Sequence, residues 1–150
     1  MTEHTGEAAN LLALENQVCF ALAVASRSVL ALYRPVLEPL GLTHPQYLVM
    51  LDLWQHSPRS VKKIGSALQL EPATLSPLLK RLEAAGYVRR ERSTVDARVL
   101  DITLTDAGRR LRELAEDIPT KIISELGMSV DELTRMRETL HTVIAAAAPA

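Results

Sequence analysis

A chain of 150 residues, 47% apolar and 23% charged, is long enough for one domain with a sizeable core and has the composition of an ordinary soluble globular protein. A single cysteine, Cys19, excludes an internal disulfide and a cysteine-based zinc site, and His4, His44, His56 and His141 are too scattered to share a metal. Net charge is −1, but residues 59–112 carry twelve Lys and Arg against six acids, while the rest carries five against twelve. A basic middle between acidic ends suits a polyanionic partner despite the neutral total.

The opening "MTEHTGEAAN" has neither the basic nor the apolar block of a signal peptide, so a cytoplasmic location is expected. From Asn10 or Leu14 to about Tyr33, apolar residues occupy nearly every face, which predicts a helix covered by more than one neighbour. Its longest apolar run, "VCFALAVASRSVLALY", is broken by Arg27 and serines and falls short of the ~18 uninterrupted residues of a membrane span. "RPVLEPLGLTHPQ", with three prolines and a glycine, predicts a turn region. "PQYLVMLDLWQHS" follows as a second helix with Pro45 in its first turn.

Ser60 is placed to cap "VKKIGSALQL", in which Val61, Ile64 and Leu68 share a face. "PATLSPLLKRLEAAG" repeats the pattern, with Leu75, Leu78, Leu79 and Leu82 as its stripe and Gly86 as its stop. Pro77 would cost ~3 kcal/mol deep inside a helix, so a start near Ala73 is expected. The period then changes. Leu100, Ile102 and Leu104 alternate with polar neighbours as a half-buried strand, which "YVRRER" pairs to make a hairpin with "STVDA" at its tip. Thr105 caps "DAGRRLRELAED", Pro119 interrupts, and a shorter helical piece ends at Gly127. Ser129 and Glu132 form a capping box for a last helix with Leu133, Met136, Leu140, Val143 and Ile144 on one side.

Two short helices across a tight turn, followed by a basic hairpin, describe a winged helix–turn–helix: mainly α, with a small β-hairpin wing. Its second helix would enter the major groove of double-stranded DNA. There Thr74 and Ser76 offer short hydroxyls, and Lys80 and Arg81 reach phosphate or guanine. Arg98, beside the hairpin tip, suits the negative potential of the neighbouring minor groove.

"LTHPQYLVMLDLW", "LLKRLEAAGYVRRERSTVDAR" and "LTDAGRRL" resemble the MarR family of bacterial regulators, and the pair Asp96 and Arg98 matches that family's wing signature. The similarity runs from about Leu14 to Leu140. It implies one MarR-type unit over residues 1–150 that forms an intertwined two-fold dimer on a palindromic operator. Dimerisation would fall to residues 11–34 and 105–147, and DNA binding to a lobe over residues 45–104. Where the nearest subgroup's recognition helix opens Asp-Ser-Gly-Thr, this chain has Glu71-Pro72-Ala73-Thr74.

"ENQVCFALAVASR" resembles the N-terminal segment of that subgroup, the organic hydroperoxide resistance repressors, in which a cysteine at this position senses peroxide. Peroxide attack needs thiolate. Cys19 falls in the second or third turn of the predicted helix, where the dipole helps little, and no cation precedes Arg27 closely. Tyr33 lies 14 residues on, about 21 Å along one helix and nearly on the same face, so it can reach only a partner's cysteine across antiparallel helices. The resemblance implies that role for Tyr33. Two other tyrosines of the subgroup are replaced here, by Ala23 and by His44 in "HPQY". His44 either replaces a lost phenol as hydrogen-bond donor, more strongly if cationic, or serves only its loop.

No second cysteine is present to resolve an oxidised thiol. A sulfenic acid at Cys19 would pass to a mixed disulfide with a small cellular thiol or to higher acids. The same lack, with no reductant motif, argues against a turnover peroxidase, so no enzyme activity and no cofactor are expected. Two readings stay open: a repressor released by organic hydroperoxide, or a regulator with an inert cysteine that answers to a small apolar or phenolic ligand.

Overall fold

The structure is a computed structural model that describes residues 10–149; residues 1–9, His4 among them, and residue 150 lie outside the described residues. A short 3-10 turn at Leu14–Asn16 leads into α1, Val18–Leu37. This helix starts and ends later than the apolar pattern suggests. Its start is set by two amide side chains. Gln17, extended at the N-cap, donates through Nε2 to the carbonyls of Leu11 and Ala13, and Asn16 donates through Nδ2 to that of Asn10. Its end overruns the expected turn because Pro35 sits in the last turn, where its missing N–H frees only one carbonyl. A 3-10 turn at Glu38–Leu40 and left-handed Gly41 (φ 69°) then stop it.

Helix α2, His44–Gln55, opens with a capping box in which Thr43 Oγ1 accepts from the Gln46 N–H and Gln46 Oε1 accepts from the Thr43 N–H. A two-residue strand, β1 (Arg59–Ser60), precedes α3 (Val61–Leu68), and Ser60 Oγ caps α3 as expected, accepting from the Lys63 N–H at 3.2 Å. Helix α4, Pro72–Ala84, buries Leu75, Leu78, Leu79 and Leu82, the predicted stripe, and starts one residue before the expected Ala73. Pro77 falls in its second turn on the exposed side. Strands β2 (Val88–Arg92) and β3 (Leu100–Leu104) form the expected hairpin, with Val88 opposite Leu104 and Arg92 opposite Leu100. β1 pairs with the other edge of β3, giving an antiparallel sheet ordered β1-β3-β2.

Thr105 caps α5 (Asp106–Ala115), α6 spans Ile118–Leu126 and stops at left-handed Gly127, and Ser129 and Glu132 close the capping box of α7 (Val130–Ala147). The core is built around α2, where Val49, Met50 and Leu53 lose all contact with solvent against Ile64, Leu75, Leu79, Leu82 and Ile102. Two further contacts tie α2 down. Arg59 Nε lies 3.1 Å from buried Asp52 Oδ2, a charge contact whose angle misses hydrogen-bond alignment. Trp54 Nε1 donates to the Gly108 carbonyl at 2.9 Å.

By contrast, α1 fully buries only Leu37, with Leu32, Tyr33 and Val36 half-buried against the core, and α7 has no fully buried residue. The stretch Val18–Leu40, with Arg27 and Arg34 inside it, meets the length and composition of a membrane-crossing helix, which the sequence reading did not expect. Its apolar face, with those of Leu114, Met136, Val143 and Ile144, stands uncovered in the single chain.

Candidate nucleic-acid interface and thiol site

Because α4 points its four leucines inward, its other side chains face out: Thr74, Lys80 and Arg81 are exposed and Ser76 is half-buried. These four share the solvent side of one helix, as its spacing requires. The wing turn, residues 93–99, is held by its own hydrogen bonds. Ser93 Oγ accepts from the N–H groups of Val95 and Asp96, the Ser93 N–H donates to the Val99 carbonyl at 2.8 Å, and Arg92 Nη1 donates to the Ala97 carbonyl at 2.9 Å.

Arg98 is 90% exposed, yet it is not free to wander. Its Nε and Nη2 donate to the two Asp96 oxygens at 3.1 and 3.2 Å, and its backbone N–H donates to Oδ1 at 3.0 Å. Those bonds hold the Asp96 carboxyl below its usual range. The two sequence-predicted wing residues therefore form one unit, with Asp96 orienting the guanidinium. Replacing Asp96 by Ala is expected to weaken binding to a specific duplex about fivefold by freeing Arg98, although the protein becomes more positive. Fluorescence anisotropy at fixed salt reads the effect, and a gain in affinity would show that charge alone matters.

Arg90, in the same basic run, has a structural role that the sequence did not reveal. Its Nη2 and Nε donate to Glu83 Oε1 at 2.9 and 3.1 Å, and its N–H donates to Oε2, locking the hairpin onto the end of α4. Glu83 is held below its ordinary carboxylate range, chiefly by the side-chain hydrogen bond from Arg90.

Cys19 is exposed and lies in the first turn of α1, two residues after the Gln17 N-cap. This corrects the expected second or third turn. At the actual position the thiol stands beside the first N–H groups of the helix, which have no partner within it. Tyr33 is near the other end of α1, about 21 Å away along the axis, so the two do not meet within one chain. His44 is the first residue of α2 rather than part of a loop, and its ring packs edge-on against Tyr33 with centroids 4.8 Å apart. Tyr47 completes a trio at 5.9 Å from Tyr33 and 6.3 Å from His44. Tyr47 was not among the expected site residues; its place one helical turn after His44 is the only sequence signal for it.

Burial pushes the hydroxyls of Tyr33 and Tyr47 up, with Tyr33 adding to the effect on Tyr47, and pushes the His44 imidazole down. The cationic His44 considered from sequence is thus disfavoured. A neutral ring offers one donor and one acceptor instead. Beside the trio opens a cleft of about 590 Å³, whose walls include Leu30, Tyr33, Leu37, Leu42 and His44 together with the charged Arg34 and Glu38. Among the described residues no cluster of His, Cys, Asp and Glu is arranged to hold a metal.

The organic hydroperoxide resistance transcriptional regulator of Bacillus subtilis (strain 168) is 43% identical to this chain over 131 residues, covering 87% of the chain and 89% of the relative. The chain belongs to the MarR family. The MarR family profile itself matches residues 42–100, from the approach to α2 to the first residue of β3. Reduced AbfR bound to DNA is 39% identical, with a TM-score of 0.75 over 89% of this chain and 94% of that one. The disulfide-formed state of AbfR is 36% identical with a TM-score of 0.65, over 96% and 99%. AbfR is a protein of Staphylococcus epidermidis. This chain is accordingly a MarR-family transcriptional regulator with the winged-helix fold read from its sequence, and its relatives regulate genes rather than catalyse reactions.

Proposed function

We propose that this MarR-family regulator is a cytoplasmic, two-fold dimeric repressor that leaves a palindromic operator when an organic hydroperoxide oxidises Cys19. One observation carries the reading: Cys19 and Tyr33 lie at opposite ends of α1, whose apolar face is uncovered, and His44 and Tyr47 of α2 pack against the Tyr33 end. Two copies of α1 crossing antiparallel bury that face, and they bring Cys19 to the partner subunit's Tyr33 and the partner subunit's His44. Residues 11–34 and 105–147 then form the dimer interface, and residues 45–104 read DNA. Thr74, Ser76, Lys80 and Arg81 enter the major groove, and Arg98, oriented by Asp96, enters the minor groove.

The thiolate attacks the outer peroxide oxygen, the O–O bond breaks, and the alkoxide leaves and takes a proton from water to become the alcohol, with Cys19 as sulfenic acid. A small cellular thiol then displaces water from that sulfenic acid and leaves a mixed disulfide. Either product adds bulk and polarity at a packed interface, and the two winged lobes lose the spacing of successive major grooves. Emptying an operator from 99% to 1% occupancy requires a coupling of about 5.5 kcal/mol.

The decisive variant is Cys19→Ser. Wild-type protein is expected to release its operator after stoichiometric organic hydroperoxide with a small thiol, and to rebind after a dithiol; Cys19→Ser is expected to stay bound throughout. Release of the serine variant by peroxide would sink the thiol switch. The cleft beside Tyr33 supports a second reading, in which a small apolar or phenolic ligand is the signal and Cys19 is inert. Tight binding that oxidation leaves unchanged selects it.

A further inference from the structure

Val95 stands at the tip of the wing and is 94% exposed. A lone exposed valine is ordinary on a protein surface and by itself calls for no explanation. Its setting is what is unusual. Loop tips are usually the least restrained part of a chain. Here the Val95 N–H and the next one along both donate to Ser93 Oγ, and Arg92 and the Asp96–Arg98 pair brace the far side of the turn. A stiff turn therefore presents one apolar branched side chain three residues from an oriented arginine, at the outermost point of the basic segment.

We propose that Val95 is a specificity-determining residue that excludes guanine from the minor-groove step beneath the wing tip. The inference rests on the DNA-binding reading above and not on the thiol switch. In the minor groove A·T pairs present only acceptors, whereas G·C adds the guanine N2 amine, which projects from the floor of the groove. A valine can neither accept from that amine nor share the space it fills. Over an A·T step its methyls reach the sugar walls, and the narrower groove with its stronger negative potential also favours the neighbouring Arg98. Apolar side chains are known to enter the minor groove, where they wedge against base steps beside the polar residues that read it.

The contact differs from a phosphate contact in one measurable way: it carries no charge, so it contributes to affinity without contributing to the salt dependence. The test starts from the tightest duplex that wild-type protein selects from a random pool. Affinities across a salt series are then measured for wild type, Val95→Ser, Val95→Ile and Arg98→Ala. A second duplex carries 2,6-diaminopurine for adenine in the outer flanks, which adds the minor-groove amine and leaves the major-groove edge unchanged.

Wild type and Val95→Ile are expected to lose about tenfold on the diaminopurine duplex, and Val95→Ser to bind the unmodified duplex about tenfold more weakly with an unchanged salt slope. Val95→Ser should then lose clearly less on diaminopurine than wild type does, keeping only the part of the loss that Arg98 feels, while Arg98→Ala lowers the slope by about one. The proposal is overturned if Val95→Ser binds like wild type, if it loses as much to diaminopurine as wild type does, or if its slope changes. Unchanged thermal melting of Val95→Ser separates these outcomes from misfolding. Failure of wild type to enrich any duplex would instead overturn the DNA-binding reading, and this proposal with it.

Discussion

Gly108→Ala is expected to cost about 3 kcal/mol or more, and with it roughly 10 °C of Tm. A Cβ at this position would collide with the Tyr87 carbonyl oxygen and crowd Leu104 Cδ2 at 3.3 Å. The oxygen is backbone, and it is already engaged: the Thr105 N–H donates to it at 3.1 Å. Gly108 is itself held on both sides, its N–H donating to Thr105 Oγ1 at 3.0 Å and its carbonyl accepting from Trp54. Relief of the clash must lift α5 off the hairpin base and break at least one of these bonds. Scanning calorimetry decides the matter. A Tm within a degree of wild type would mean that α5 slides freely over β2, contrary to the bonds described.

Ile144→Glu is expected to turn the dimer into a monomer and to weaken operator binding a hundredfold or more, because two half-sites are then no longer engaged by one linked molecule. Ile144 lies with Met136 and Val143 on α7, a helix with no fully buried residue in its own chain. A carboxylate there does not disturb the protomer, but in an interface it would be desolvated without a partner. Sedimentation reports the oligomer, and the far-ultraviolet melt reports the fold. A variant that remains dimeric with full affinity would remove residues 105–147 from the interface.

What the sequence made legible was whatever is decided locally. Ser60, Thr105 and Ser129 could be named as caps because a hydroxyl needs only the N–H three residues on, and all three bonds are present. The leucine stripe of α4 and, at Ile102 and Leu104, the β3 alternation were readable for the same reason, since period reports which face is covered; Leu100, expected with them, is exposed where the strand runs out into the wing. Strand β1 was not readable, since two residues carry no period and pair only because α2 and β3 hold them in place.

The start of α1 was misplaced because apolar residues continue upstream of it. The side-chain amides of Asn16 and Gln17 fold the preceding segment into a separate turn, an effect that hydropathy does not register. That misplacement moved Cys19 by a turn or more and hid its position in the first turn of the helix. Tyr47 and the Arg90–Glu83 lock depend on chain crossings, so residue type alone could not have distinguished them from their neighbours.

Helix α2 has a mechanical consequence. It is a stiff rod of twelve residues, about 18 Å long, with His44 at one end and Asp52 and Trp54 near the other. Its near end rests in the aromatic trio, while its far end is bolted to β1 and α5. Such a rod is a lever with its load at β1 and α5. A tilt of about 10° at the trio sweeps the far end through about 3 Å, the full length of a hydrogen bond. A change no larger than a side chain at one end would thereby be felt at the other, where Asp52 meets Arg59 and Trp54 meets Gly108.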